Sequence, residues 1–311
     1  MENYDLIIIG AGAAGLAAGI YGARSGLKTL VIEEKLAGGT TGDAPLVENY
    51  PGFPSILGSE LADKMVQHCK KTGAVLRELE SVVSLDLKGE KKIVKTNKTE
   101  YVAPAVIIAT GAHYRTLDIK GEKEFKGKGV SYCGVCDGPF FKGKRVLVVG
   151  GGNSACITTL YLSGLAADVM VVHRKEAFRA EEALVSDIAS KGNVKVMWNN
   201  EVAEIKGDKI VKSVMLANSK TGEMSEVPVD GVFVQIGESP NSTQAIQAGV
   251  EPEENGRALK IDIHQRTNIP GVYAAGDVTN HPVMQIGTAV GQGITAALEA
   301  YGYIRRPYYK K

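Results

Sequence analysis

Cysteine is scarce in this chain, with four in 311 residues. Four thiols are too few for a disulfide scaffold. Two of them form one Cys-x-x-Cys pair, a usage that fits a cytosolic redox or metal role better than structural bridging. No uninterrupted apolar run approaches the ~18 residues of a membrane span. Charge of one sign is missing too: 36 Lys and Arg stand against 35 Asp and Glu, a net charge of +1. The basic clusters Arg305-Arg306 and Lys310-Lys311 are short, so nothing points to nucleic acid as a partner. The opening Met1-Glu2-Asn3-Tyr4-Asp5 lacks the basic stretch that begins a secretory signal. Proline is limited to 11 residues and forms no tract, which excludes collagen-like and low-complexity chains.

Glycine is what the chain has in excess: 37 residues, roughly 12% against a usual ~7%. Much of it punctuates a repeated pattern. The apolar run Leu6-Ile7-Ile8-Ile9 reads as a buried parallel strand. It feeds Gly10-Ala11-Gly12-Ala13-Ala14-Gly15, a helix from Leu16 to about Ser25, and a second strand, Thr29–Ile32, that ends at Glu33. Strand, Gly-x-Gly-x-x-Gly, helix, strand and acid together predict a dinucleotide site. Gly10 permits the tight turn, Gly12 the approach of a pyrophosphate, and Gly15 close helix–strand packing. Glu33 can accept a bond from a ribose hydroxyl. The plainer alternative is a tight turn without a ligand.

The pattern returns further on. Arg145–Val149 leads into Gly150-Gly151-Gly152-Asn153-Ser154-Ala155, a helix to about Ser163 and the strand Asp168–Val172. The interval from Gly150 to His173 equals that from Gly10 to Glu33. Here the acid gives way to His173-Arg174-Lys175, with Arg179 a turn later. Cations at this place suit a 2′-phosphate, so the second site reads as one for NADP(H). The alternative is a solvated helix start.

Two further apolar strands, Ala105–Ala112 and Val232–Gly237, follow their own fingerprints at similar intervals. A third, Gly271–Asp277, has no visible counterpart between the two units. The chain therefore reads as α/β, with two Rossmann-like three-layer nucleotide-binding domains, the second inserted in the first. The expected bounds are 1–113 with 244–311 for the first and 114–243 for the second. Strand-like runs fill residues 80–100 and 201–230, and Lys209–Leu216 with Lys220–Val227 suggests a meander turning at Thr221-Gly222.

Cys133-Gly134-Val135-Cys136-Asp137-Gly138 lies in the inserted unit. Two thiols so spaced can close a small disulfide ring reversibly. The rival reading, half a zinc site, wants four ligands. No second Cys-x-x-Cys exists, and Cys69 and Cys156 stand alone, so no metal is expected. Asp137 could hand a proton to a departing thiolate, or serve only as a turn former. Two nucleotide sites and a dithiol together describe an electron path through a flavin.

These motifs, with Gly38-Gly39, Val47–Phe53, Ala109-Thr110-Gly111, Ile236-Gly237, Pro240-Asn241, Gly276-Asp277, Gln285 and Gly291-x-Gly293, resemble the low-molecular-weight thioredoxin reductases of the pyridine nucleotide-disulfide oxidoreductase family. The resemblance covers the whole chain. It implies FAD at Gly10, Gly12, Ala13, Ala14, Gly15, Glu33, Gly39, Asn49, Ala109, Thr110, Gly111, Gly276, Asp277 and Gln285. It implies NADPH at Gly152, Asn153, Ser154, His173, Arg174, Lys175, Arg179 and Gly237. It makes Cys136 the sulfur beside the flavin, Cys133 the thiol that attacks a thioredoxin-like small dithiol protein, and Asp137 the acid/base. It also implies a homodimer, a cytoplasmic setting, no membrane, and a rotation of the inserted domain about crossings near residues 113 and 243. The chain departs from the pattern at Thr40, Pro139, Ile157-Thr158-Thr159, Lys175 and Met284. The alternatives are the same disulfide reductase fed by another reductant such as reduced deazaflavin, a flavin-dependent dithiol oxidase, or a non-catalytic nucleotide sensor.

Overall fold

A strand that is apolar at every position has two faces to bury, and Leu6–Ile9 accordingly lies at the centre of a parallel sheet. The computed structural model describes residues 1–44, 46–254 and 256–305. Arg306, Lys310 and Lys311 of the C-terminal basic clusters lie outside the described residues. The chain divides into two units, one holding Met1–His113 and the segment from Ser239 onward, the other Tyr114–Glu238. The return crossing thus falls at Glu238–Ser239, ahead of the boundary after residue 243 read from the sequence. Asn241 is the reason. Its N–H donates to Gly111 O at 2.9 Å and its carboxamide to Thr110 O at 2.8 Å, which ties it to the first unit.

In the first unit the sheet order is Val272–Ala274, Ala105–Ile108, Leu6–Ile9, Thr29–Ile32 and Val75–Arg77, all parallel. Side chains alternate across it. Leu6, Ile8, Val31, Ala105 and Ile107 meet the helices Ala13–Arg24 and Ile286–Arg305. Ile7, Ile9, Leu30, Ile32, Val106 and Ile108 meet Val94 and Tyr101 of an antiparallel layer, and Leu87 just beyond one of its strands. That layer contains Val82–Asp86, Lys92–Thr96 and Glu100–Ala103. Helix, parallel sheet and antiparallel sheet make the three layers.

The second unit repeats the plan. Its sheet runs Val130–Ser131, Gly231–Val234, Arg145–Val149, Asp168–His173 and Val194–Trp198, again parallel. Val146, Val148, Val169 and Phe233 pack with Ala155 and Leu162 of the helix Asn153–Ser163. Leu147, Val149, Val172, Val232 and Val234 face an antiparallel layer of Asn200–Gly207, Val211–Asn218 and Met224–Pro228. The meander expected from the sequence is present, with one strand more than Lys209–Leu216 and Lys220–Val227 suggested.

One expectation is corrected. Val272–Ala274 does have a counterpart, because Val130–Ser131 flanks Gly231–Val234 just as Val272–Ala274 flanks Ala105–Ile108. It escapes a search by order because it precedes its fingerprint strand and is two residues long. Among the described residues no helix is long and apolar enough to cross a membrane.

Candidate active site with two glycine turns and a disulfide

At the carboxyl end of Leu6–Ile9 the chain must turn within van der Waals reach of its neighbours. Gly10 has φ +102°, and a Cβ there would lie 2.3 Å from Ala109 O. A Cβ on Gly15 would lie 1.8 Å from Gly10 O, so the helix packs onto the turn as only glycine allows. Gly12 faces open space up to Gly39, 3.9 Å from where its Cβ would stand. Ala13 and Ala14 are buried and offer the first backbone N–H groups of the helix rather than side chains. Glu33 accepts from Ala11 N–H at 2.8 Å and from Lys35 N–H at 3.0 Å, one on each oxygen. Each oxygen keeps a lone pair for a ligand hydroxyl.

The same unit gathers the other residues expected at FAD. Asn49 donates to Gln285 Oε1 at 3.0 Å, joining segments far apart in sequence. Ala109, Thr110 and Gly111 leave the carboxyl end of Ala105–Ile108 beside Gly10. Gly276 takes φ +79° and precedes Asp277, whose carboxyl burial pushes above its usual range.

The second glycine turn has the same build. A Cβ on Gly150 would lie 2.2 Å from Gln235 O, while no atom of the described residues stands within 4 Å of one on Gly152. Asn153 exchanges two bonds with Glu181, at 2.8 and 2.9 Å. Ser154, Arg174, Lys175, Arg179 and Gly237 are exposed. The N–H of Arg179 donates to Gly151 O at 2.7 Å, which fastens the basic segment to the turn. His173 is not brought out with these cations. It is 5% exposed, its ring lies where a Cβ on Gly151 would come within 2.3 Å, and Phe178 stacks on it. Among the described residues its Nε2 has no hydrogen-bond partner. Burial, then the charges of Arg179, Arg174 and Lys175, lower its pKa.

Cys133 and Cys136 form a disulfide, with Cα atoms 5.3 Å apart. They follow Val130–Ser131, so the pair and the second glycine turn both leave the carboxyl edge of one parallel sheet, where ligands of such sheets bind. The turn is a short helix, Gly134–Asp137, in which Cys136 N–H donates to Cys133 Sγ at 3.2 Å. A Cβ on Gly134 would lie 2.5 Å from Thr158 Cγ2, so glycine lets the turn rest on the helix Asn153–Ser163. Burial raises the pKa of Asp137, and a bond from Ser131 partly opposes the rise. A carboxyl so placed can carry a proton beside a thiol. Among the described residues no group of three or more His, Cys, Asp or Glu is placed to hold a metal.

The sequence marked Asn241 only as part of a motif, without a role, and did not single out Gln292. Asn241 braces the 110–111 turn and also accepts, through its backbone carbonyl, from Thr110 Oγ1 at 2.7 Å. Gln292 is buried and accepts from Gly276 N–H at 2.6 Å. Its position between Gly291 and Gly293 was the available signal.

The likeness to known proteins spans nearly the whole chain. The family model described as pyridine nucleotide-disulphide oxidoreductase matches residues 4–293. A thioredoxin reductase of Bacillus subtilis (strain 168) is 44% identical over 302 residues, covering 97% of this chain and 95% of its own. The crystal structure of thioredoxin reductase from Streptococcus pyogenes MGAS5005 is similar with a TM-score of 0.92 and 39% identity, covering 97% of this chain and 98% of that one. Thioredoxin reductase from Giardia duodenalis gives a TM-score of 0.90 at 35% identity, with 98% of this chain and 100% of that chain covered.

Proposed function

The chain belongs to the pyridine nucleotide-disulphide oxidoreductase family, and from that premise we propose that it is a thioredoxin reductase that uses NADPH, FAD and the Cys133–Cys136 pair. The observation that carries the reading is the disulfide on the edge of a nucleotide-type sheet with Asp137 beside it. The first glycine turn fits FAD by its donor set. It offers an open backbone at Gly12, free helix N–H groups at Ala13 and Ala14, and spare lone pairs on Glu33. Gly39, Asn49, Ala109, Thr110, Gly111, Gly276, Asp277 and Gln285 would complete that hold. FAD, when bound, supplies a two-electron carrier between a nicotinamide and a disulfide.

In the second unit Gly152, Asn153 and Ser154 would take the pyrophosphate at a helix N-terminus. Arg174, Lys175 and Arg179 are exposed and would grip a 2′-phosphate, with Gly237 at the rim. His173 supports the loop from beneath. With the pair reduced, the Cys133 thiolate attacks one sulfur of the partner's disulfide. A mixed disulfide forms and the partner's other sulfur leaves as a thiolate, taking a proton from Asp137. The Cys136 thiol gives its proton to the Asp137 carboxylate and attacks Cys133 Sγ, and the partner's second sulfur leaves and takes up that proton. The Cys133–Cys136 disulfide re-forms and the partner departs with two thiols. The partner in this reading is a thioredoxin-like small dithiol protein. A homodimer and a cytoplasmic setting belong to it as well, on the family resemblance and on the reversible use of the pair.

The test is anaerobic mixing of the flavin-loaded protein with NADPH, NADH or reduced deazaflavin, followed by oxidised thioredoxin. NADPH should bleach the flavin at least about tenfold faster than NADH, since losing one charged contact is worth that much. Bleaching by deazaflavin alone would overturn the NADPH reading. No turnover of thioredoxin by any reductant would overturn the function.

A further inference from the structure

Tyr132 leads into the disulfide turn directly before Cys133, and three parts of its unit hold it. Its hydroxyl donates to Glu122 Oε1 at 2.9 Å. Its carbonyl accepts from Gln235 Nε2 at 2.7 Å. Its ring stacks on Tyr114 with centroids 5.4 Å apart and planes 20° from parallel. Glu122 is 0% exposed. Besides Tyr132, its carboxylate accepts from Leu117 N–H at 2.9 Å and Asp118 N–H at 2.8 Å. Burying a carboxylate is costly unless donors surround it, and an apolar side chain would fill the same space at lower cost. Gln235 is equally committed. Its N–H donates to Val149 O at 2.8 Å, and its carbonyl is the group that bars a side chain at Gly150. The entry to the disulfide turn is therefore pinned both to a buried charge and to the nucleotide turn.

We propose that Glu122 and Gln235 are positioning residues which clamp Tyr132 and thereby hold Cys133 in register with Cys136. The proposal rests on the pair being the redox centre. A clamp at Tyr132 keeps the Cys133 thiol near Cys136 and keeps Cys136 N–H aimed at Cys133 Sγ. Loosening it lowers the effective concentration of one thiol at the other, which favours the dithiol over the disulfide. The midpoint potential of the pair then rises, and the presentation of Cys133 to a partner's disulfide becomes less exact. No new reactant is involved, because the two electrons and two protons are those of the ordinary cycle.

The test uses the full-length, flavin-loaded protein with Tyr132→Phe and, separately, Gln235→Leu. Tyr132→Phe removes one link while Glu122 keeps both backbone donors, and Gln235→Leu removes the amide at similar volume. Thiol labelling in redox buffers reads the potential of the pair. The expected shift is about tenfold toward the dithiol in each variant, about 30 mV for a two-electron couple. Protein-disulfide reduction should slow about tenfold, whereas flavin bleaching by NADPH in Tyr132→Phe should match the parent. An unchanged potential and an unchanged transfer rate in both variants would overturn the clamp, even if both melted earlier, since that is a structural role alone. Failure of NADPH to bleach the parent's flavin would count against the proposed function instead. The labelling measurement would still decide the clamp.

Discussion

Replacing Gln292 with Met tests how the first site is held. The Gln292 side chain is 7% exposed, and its Oε1 accepts from Gly276 N–H at 2.6 Å and from Thr279 Oγ1 at 3.4 Å. Met keeps the length and apolar stem but offers no comparable acceptor. Thr279 keeps its bond to Gly276 O at 2.8 Å, so the loss falls on the Gly276 N–H. An orphaned buried N–H costs about 1–3 kcal/mol. For a domain of 150–250 residues each kcal/mol is about 2–4 °C in Tm, so the flavin-free protein should melt roughly 2–12 °C lower. The turn could escape the penalty only by moving, and Asp277 would move with it. The same energy would then appear as weaker FAD binding, about tenfold for each 1.4 kcal/mol. Thermal melting of the stripped protein and a fluorescence titration with FAD read the two parts. A variant that melts within about 1 °C of the parent and binds FAD equally well would refute the reasoning.

Other outcomes follow from the same geometry. Arg174→Ala should raise KM for NADPH by about 10- to 100-fold with kcat retained, and Lys175→Arg should lower it, because a charged bidentate contact to phosphate is worth about 1.5–3 kcal/mol; steady-state kinetics with NADPH and NADH check both. Protein-disulfide reduction should fall as pH rises past the elevated pKa of Asp137, since only the protonated carboxyl donates. Asp137→Asn should flatten that limb and slow the step by about 10²-fold or more. His173 has a folded-state pKa below its ordinary 6.5. Its contribution to stability is therefore present above pH 6.5 and lost as pH falls through the lowered value. His173→Gln should reduce the drop in Tm between pH 7.5 and 5.5, and an unchanged drop would contradict the assignment.

The parts of the fold legible in the sequence are those written locally. Leu6–Ile9 and Val146–Val149 announce themselves as continuous apolar runs ending in glycine, and both lie in the central strands of their sheets. The cysteine pair is visible because its spacing is its chemistry. The illegible parts depend on contacts between distant segments. Val130–Ser131 is too short to show a period. Asn241 matters because it bonds to Thr110, 131 positions away, and nothing in Pro240-Asn241 states that partner. Gln292 reads as the polar position of a helix until its acceptor is seen against Gly276. His173 reads as one of a run of cations because a strand end and a loop start look alike in sequence. The strand Asp168–His173 buries the His173 ring at its end, and Arg174, the next residue, faces solvent.

The central claim is that Cys133 carries the electrons out to a partner protein and Cys136 resolves the intermediate. Trapping tests it most directly. The Cys136→Ser and Cys133→Ser proteins are each incubated with a thioredoxin that keeps a single active-site thiol, activated as a mixed disulfide. Intact-mass measurement should show a one-to-one covalent adduct through Cys133 in Cys136→Ser, released by dithiothreitol, and little or none in Cys133→Ser. An adduct formed through Cys136 in Cys133→Ser, with none in Cys136→Ser, would contradict it.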